Sequence, residues 1–213
     1  MKTALVAGVT GLIGGQLLNL LLEDSYYEKI IALSRKPLSV QHPKLTSIVI
    51  GFDQLNTVIS DLRADDVYCC LGTTIKQAGS QEAFRRVDYD YPKELAVITK
   101  SNGAKHYLLV SALGADITSR IFYNRVKGET ELMISEIGFE STHIFRPSLL
   151  IGPRKEQRSG EEAAKVFYKY LGFLIPKRYK GIESMKVARA MLAFAKQNKA
   201  GVFIHESESL QAY

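Results

Sequence analysis

Met1-Lys-Thr-Ala-Leu-Val-Ala-Gly8-Val-Thr10-Gly11-Leu12-Ile13-Gly14-Gly15 opens the chain. A short apolar run, Ala4 to Ala7, meets the spacing Gly8-x-x-Gly11-x-x-Gly14, and an apolar segment of helical period follows at once. Strand, glycine turn and helix in that order suit a dinucleotide pyrophosphate. Glycine reaches positive φ, lets backbone approach phosphate and lets the helix pack close to the strand. The first N–H groups of such a helix lack internal partners and point at the anion. A glycine triplet alone also fits a turn that holds nothing, so the rest of the chain has to decide. Lys2 before an apolar run has a secretory leader as its rival reading. That run is short, glycines break it, and no small-x-small cleavage site follows.

The 213 residues suit a single α/β domain, with residues 146–213 contributing a small cap on the substrate side. Apolar residues make up 46% of the chain, enough for a full core, and no run approaches the ~20 residues of a membrane span. Cys69 and Cys70 are adjacent and point to opposite faces of a strand, which argues against a disulfide between them. The expected compartment is therefore the cytoplasm. Net charge is +6. The plain reading is a solvated basic surface, and the functional one an anionic ligand such as a phosphorylated dinucleotide. Nucleic acid is not expected, because the cations are spread along the chain rather than clustered with aromatics.

Apolar runs of strand length alternate with helical periods. Strands are expected at Thr3–Ala7, Lys29–Leu33, Leu45–Ile50, Val67–Leu71, Lys105–Val110 and Ser141–Phe145, with a further edge strand at Val202–Ile204. Helices are expected near Leu12–Glu23, Gln54–Leu62, Gln81–Ser101, Ile121–Ile137, Glu161–Leu171 and Met185–Gln197, the third of them kinked or divided by Pro92. The pattern predicts a doubly wound, mostly parallel Rossmann sheet in the order 3-2-1-4-5-6, helices on both faces. Right-handed crossovers then place the ligand at the carboxyl ends of the strands.

The second strand runs into Ser34-Arg35-Lys36. An NAD site usually has Asp or Glu here for the ribose 2′-hydroxyl. A hydroxyl and two cations favour a 2′-phosphate, hence NADP over NAD. Asp53, after the third strand, suits either the adenine amino group or a helix cap. The fourth strand ends in Cys70-Leu71-Gly72-Thr73-Thr74, where small and hydroxylated residues would let backbone approach the adenine-side ribose and phosphates. The two cysteines read as buried small apolar residues, with a reactive thiol pair as the sharper rival.

Tyr123-Asn-Arg-Val-Lys127 puts a phenol and an ammonium on one helical face. The ammonium favours phenolate and brings the tyrosine towards working pH as a general acid or base. Ser111 ends the fifth strand, where its hydroxyl would polarise a carbonyl oxygen. The set suits hydride transfer from NADPH to a small carbonyl compound, with Tyr123 supplying the proton. The four histidines are scattered and read as structural. Asp65-Asp66, just before a strand, reads as a turn or cap.

Over nearly its whole length the chain resembles the atypical short-chain dehydrogenases/reductases. Ser111, Tyr123 and Lys127 match that family's catalytic triad, and Gly8, Gly11 and Gly14 its cofactor loop. Cys69 to Thr74, Arg86-Val87-Asp88, Lys105-His106, Gly114-Ala115-Asp116, Val126 to Glu129 and Phe145-Arg146-Pro147 resemble the branch of HIV Tat-interacting oxidoreductase-like proteins and their bacterial relatives. The resemblance implies NADPH binding. It assigns Thr10, Gly11, Leu12 and Ile13 to the pyrophosphate loop, and Arg35 and Lys36 to the 2′-phosphate. Leu71 and Gly72 become contacts at the fourth strand, and Tyr123 and Lys127 ribose contacts. After the sixth strand it counts Pro147 among cofactor contacts, sets Leu150 in the nicotinamide pocket and brings Arg158 to a phosphate. Many extended relatives carry Asn where this chain has Asp88. The part after Phe145 is short beside the substrate domains of sugar epimerases, against a nucleotide-sugar substrate. The competing reading is a redox-responsive regulatory module that binds NADPH and another protein. Either would be a monomer or homodimer.

Overall fold

The computed structural model describes residues 2–152 and 179–213. In chain order it contains β1 (Lys2–Ala7), α1 (Leu12–Glu23), β2 (Tyr27–Ser34), β3 (Leu45–Val49), a 3₁₀ helix (Phe52–Asp61) and β4 (Asp66–Cys69). Next come α2 (Ile75–Ala78), α3 (Gln81–Arg85), a π-helical turn (Arg86–Asp90), α4 (Tyr91–Ser101), β5 (His106–Val110), α5 (Phe122–Glu136) and β6 (Ser141–Arg146). The chain finishes with β7 (Leu150–Ile151), β8 (Ile182–Glu183), α6 (Ser184–Ala195), β9 (Gly201–Glu206) and α7 (Ser207–Leu210). The expected helix Glu161–Leu171 and Arg158 lie outside the described residues.

Seven strands form one sheet in the order β3-β2-β1-β4-β5-β6-β9, and every pairing in it is parallel. The predicted order is thus observed, with Val202–Ile204 inside the added edge strand. Residues of β1 alternate between two cores. Ala4 and Val6 pack with Leu17 and Leu21 of α1 and Val187 and Met191 of α6. Leu5 and Ala7 pack with Leu55 of the 3₁₀ helix, Leu95 of α4 and Ile134 of α5. Period-2 alternation therefore feeds apolar layers on both faces, as a covered parallel sheet requires. Within the segment after Phe145, α6 joins the first layer and β9 the main sheet, while β7 and β8 form a separate parallel pair.

Two expectations change, and a third, the break at Pro92, is observed. Residues 52–61 coil as a 3₁₀ helix kinked at Val58. Thr57 competes for backbone groups there, its Oγ1 donating to the Gln54 carbonyl at 2.8 Å. The expected helix 81–101 divides into α3, the π turn and α4. Pro92 is the cause: it has no N–H to give to the Asp88 carbonyl, which instead accepts Thr130 Oγ1 at 2.8 Å. Asp66 is no turn residue. It lies fully buried in β4, accepts Tyr27 Oη at 2.5 Å and sits 2.9 Å from His106 Nδ1 and 3.3 Å from Lys2 Nζ.

Candidate active site

The glycine turn joins β1 to α1 at the carboxyl edge of the sheet. Gly8 has φ +87°, and a Cβ there would stand 2.5 Å from the Cys70 carbonyl oxygen. At Gly14 a Cβ would stand 2.3 Å from the Gly8 oxygen. Both glycines are therefore dictated by the approach of β1, β4 and α1. Gly11 caps α1 without a side-chain hydrogen bond, and the first turn holds no acid. That leaves an unscreened positive helix end open to an anion. Thr10 and Gly11 are exposed, Leu12 half-buried and Ile13 buried.

Arg35 and Lys36, just beyond β2, are exposed, and neither forms an ion pair among the described residues. Ser34 differs from expectation in its bonding: its hydroxyl is buried and donates to the Lys36 carbonyl at 2.7 Å, so it shapes the turn that carries the two cations. Asp53 is exposed in the first turn of the 3₁₀ helix, whose cap is Gly51, so the capping alternative does not hold.

At the end of β4, Leu71 is buried and Gly72 exposed. The Thr73 N–H donates to Asp88 Oδ2 at 2.9 Å, and Asp88 Oδ1 lies 2.7 Å from Lys127 Nζ. A Cβ on Gly72 would be 3.7 Å from that nitrogen. Asp88 and Lys127 are 1% and 5% exposed. Burial disfavours the ammonium, but the Asp88 carboxylate and the Tyr123 phenol outweigh it and raise the lysine pKa. Tyr123 is half-buried one helical turn before Lys127, its ring 5.3 Å from that of Phe84. Gly72, Thr73, Asp88, Tyr123 and Lys127 thus form one cluster.

Ser111 sits at the end of β5, its N–H bonded to the Phe145 carbonyl at 2.7 Å. Its hydroxyl donates to Glu131 Oε1. Arg146 grips the same carboxylate, Nη2 to Oε2 at 2.5 Å and Nε to Oε1 at 3.0 Å, and also reaches Glu206 at 3.0 Å. Hydrogen bonding to Glu131 holds the guanidinium well above its usual range. Glu131 was absent from the expected site, although the signal is in the sequence: Tyr123, Lys127 and Glu131 recur every four residues on α5. Asp88 entered the sequence reading within the run Arg86-Val87-Asp88 and as a departure from extended relatives, without a role in the site. Pro147 is buried, and its carbonyl accepts the Leu113 N–H at 2.9 Å, tying together the loops after β5 and β6. Leu150 opens β7.

Burial pushes both cysteine thiols upward, Cys70 farther than Cys69, which suits inert packing rather than reactive thiolates. His143 Nδ1 and His205 Nε2 are 2.9 Å apart, and Ser141 Oγ is 3.0 Å from His143 Nε2. No group of metal-ligating side chains occurs among the described residues.

This sheet order, with a glycine turn at its centre and a Tyr–Lys helix at its carboxyl edge, defines a Rossmann-type protein of the dehydrogenase and epimerase class. Residues 4–120 match the NAD dependent epimerase/dehydratase family, and the chain belongs to it. It is 34% identical over 201 residues to Protein HTATIP2 of Rattus norvegicus, covering 90% of this chain and 80% of that one. It is 33% identical over 209 residues to Protein FMP52, mitochondrial, of Coccidioides immitis, covering 91% and 85%. Among solved structures it is similar to MoeE5 in complex with UDP-glucose and NAD, at 17% identity and TM-score 0.73 over 95% of this chain and 74% of that one. UDP-glucose 4-epimerase of Thermotoga maritima gives 15% and 0.73 over 96% and 76%. Among the described residues no helix is long and apolar enough to cross a membrane. Fungal relatives are named mitochondrial, so the cytoplasmic expectation does not extend across the family.

Proposed function

We propose that the chain is an NADP(H)-dependent oxidoreductase of the short-chain dehydrogenase/reductase type, built as one nucleotide-binding domain and reducing a small carbonyl compound. One observation carries the reading: Tyr123 stands one turn above a buried, carboxylate-paired Lys127, at the same sheet edge as the uncapped start of α1. The Gly8–Gly14 turn and the α1 amino terminus would hold the diphosphate. Arg35 and Lys36 would grip a 2′-phosphate, Asp53 would face the adenine, and Pro147 and Leu150 would border the nicotinamide. The bound cofactor supplies hydride to the carbonyl carbon. Tyr123 gives its phenolic proton to the carbonyl oxygen, and Lys127 positions that phenol and reaches the ribose. Ser111 would polarise the carbonyl by turning its O–H from Glu131 and donating it to the carbonyl oxygen.

Replacing Tyr123 by Phe tests the proposal. The variant should bind NADPH as the parent does and lose turnover at least a hundredfold on any carbonyl the parent reduces. Retained turnover overturns the assignment. The second reading, a nucleotide-dependent regulatory module, draws on the Ser111 hydroxyl, which is engaged by Glu131 and makes no hydrogen bond to Tyr123 among the described residues. No turnover on a broad carbonyl and alcohol panel, with nucleotide-dependent capture of a partner, would favour it.

A further inference from the structure

A lysine that activates a tyrosine does so through its charge, yet here a carboxylate stands against that charge. Asp88 Oδ1 is 2.7 Å from Lys127 Nζ, with both side chains almost fully buried. Three features hold Asp88 in place. The second carboxylate oxygen accepts the Thr73 N–H at 2.9 Å, the Asp88 backbone carbonyl accepts Thr130 Oγ1 at 2.8 Å, and the residue lies in the π turn ahead of Pro92. We infer that Asp88 is a positioning residue which pins the Lys127 ammonium and offsets its charge, so that Tyr123 stays a proton-bearing phenol and donates in the reducing direction. This rests on Tyr123 being the proton-transferring group.

Among the described residues the surroundings supply no rival counter-charge. From β4 the pair faces Cys69, whose thiol burial keeps neutral. From α3 the uncharged ring of Phe84 packs against Tyr123 itself, ring centroids 5.3 Å apart. Farther along α5, Glu131 is engaged by Arg146 of β6 and by Ser111 just after β5, and Glu129 by Arg85 of α3. Asp88 is therefore the group able to cancel Lys127 at this point. An amide in its place keeps the shape and removes the cancellation. The ammonium would then act on Tyr123 alone and favour phenolate.

The test reads Tyr123 directly and needs neither cofactor nor substrate. The full chain is labelled with [¹³Cζ]tyrosine, and its tyrosine signals are followed against pH, the Tyr123 signal being assigned by its loss in Tyr123→Phe. In Asp88→Asn the Tyr123 ionisation midpoint should fall by about one unit or more. In Lys127→Met it should rise, and in Asp88→Asn/Lys127→Met it should return close to the parent value. Asp88→Glu, which restores the charge, should reverse most of the first shift. An unchanged or higher midpoint in folded Asp88→Asn overturns the inference. If that variant does not fold, the uncharged double variant decides: a midpoint equal to that of Lys127→Met means Asp88 does not act on Tyr123. These outcomes stand apart from the functional proposal, which would fail instead through retained turnover in Tyr123→Phe.

Discussion

Replacing Gly14 by alanine tests the packing at the glycine turn. The new Cβ would stand 2.3 Å from the Gly8 carbonyl oxygen, 2.8 Å from its carbon and 3.2 Å from Cys70 Cβ. The two closest obstacles are backbone, so no side chain can swing aside, and α1 must retreat from β1. Overpacking of this kind costs ~1–3 kcal/mol, while alanine returns about 1 kcal/mol of helix propensity. Gly15→Ala is the internal standard, because it gains the same propensity and meets only the Val9 carbonyl oxygen at 3.2 Å. We expect Gly14→Ala to be less stable than Gly15→Ala by about 2 kcal/mol, a Tm difference of ~4–8 °C for a chain of this size. Urea unfolding followed by far-UV circular dichroism measures the difference, and NADPH titration should show at least a tenfold loss of affinity for Gly14→Ala. Equal midpoints and equal m values in the two variants would refute the reasoning.

Two further predictions concern charge. Arg35→Glu should weaken NADPH binding about tenfold or more and leave NADH binding unchanged or improved, since the carboxylate repels a 2′-phosphate and accepts from a 2′-hydroxyl; calorimetric titration with both nucleotides checks it, and a parallel loss rejects the assignment. His143 and His205 are held neutral, chiefly by burial, with pKa values lowered from 6.5 to about 4. Between those values the folded chain binds fewer protons than the unfolded one, so stability should fall as pH drops from 6.5 towards 4. His143→Phe should flatten that dependence in urea midpoints measured across the range, and an undiminished slope would place its origin elsewhere.

The sheet was legible because its strands are buried on both sides, and near-continuous runs such as Ile30–Leu33 and Tyr107–Val110 carry that signature locally. The glycine turn was legible because only a residue without Cβ fits against the Cys70 carbonyl. The Tyr123–Lys127 pair was legible because four residues make one helical turn. What escaped is what depends on distant chain. Lys127 meets Asp88 across 39 residues, and that meeting depends on a π turn whose cause, Pro92, lies four residues beyond the acid. Ser111 was expected to face substrate, but its hydroxyl direction is set by Glu131 and, through it, by Arg146 of another strand. The 3₁₀ coil escaped because the apolar spacing of Phe52, Leu55 and Ile59 fits either kind of helix.

The position of β1 bears on how the chain assembles. Of the seven strands of the sheet it is synthesised first, yet it ends in the interior, flanked by β2 on one side and by β4 on the other. A nascent chain that has emerged only as far as β3 can pair one flank of β1 and leaves the other open, a row of bare amides and carbonyls beside the apolar Ala4–Ala7. The ribosome must deliver β4 to close it, and growth then runs outward through β5 and β6 to β9, whose arrival seals the flank of β6. Stalling before residue 201 would leave β6 as a raw border, the place where a truncated product should begin to aggregate.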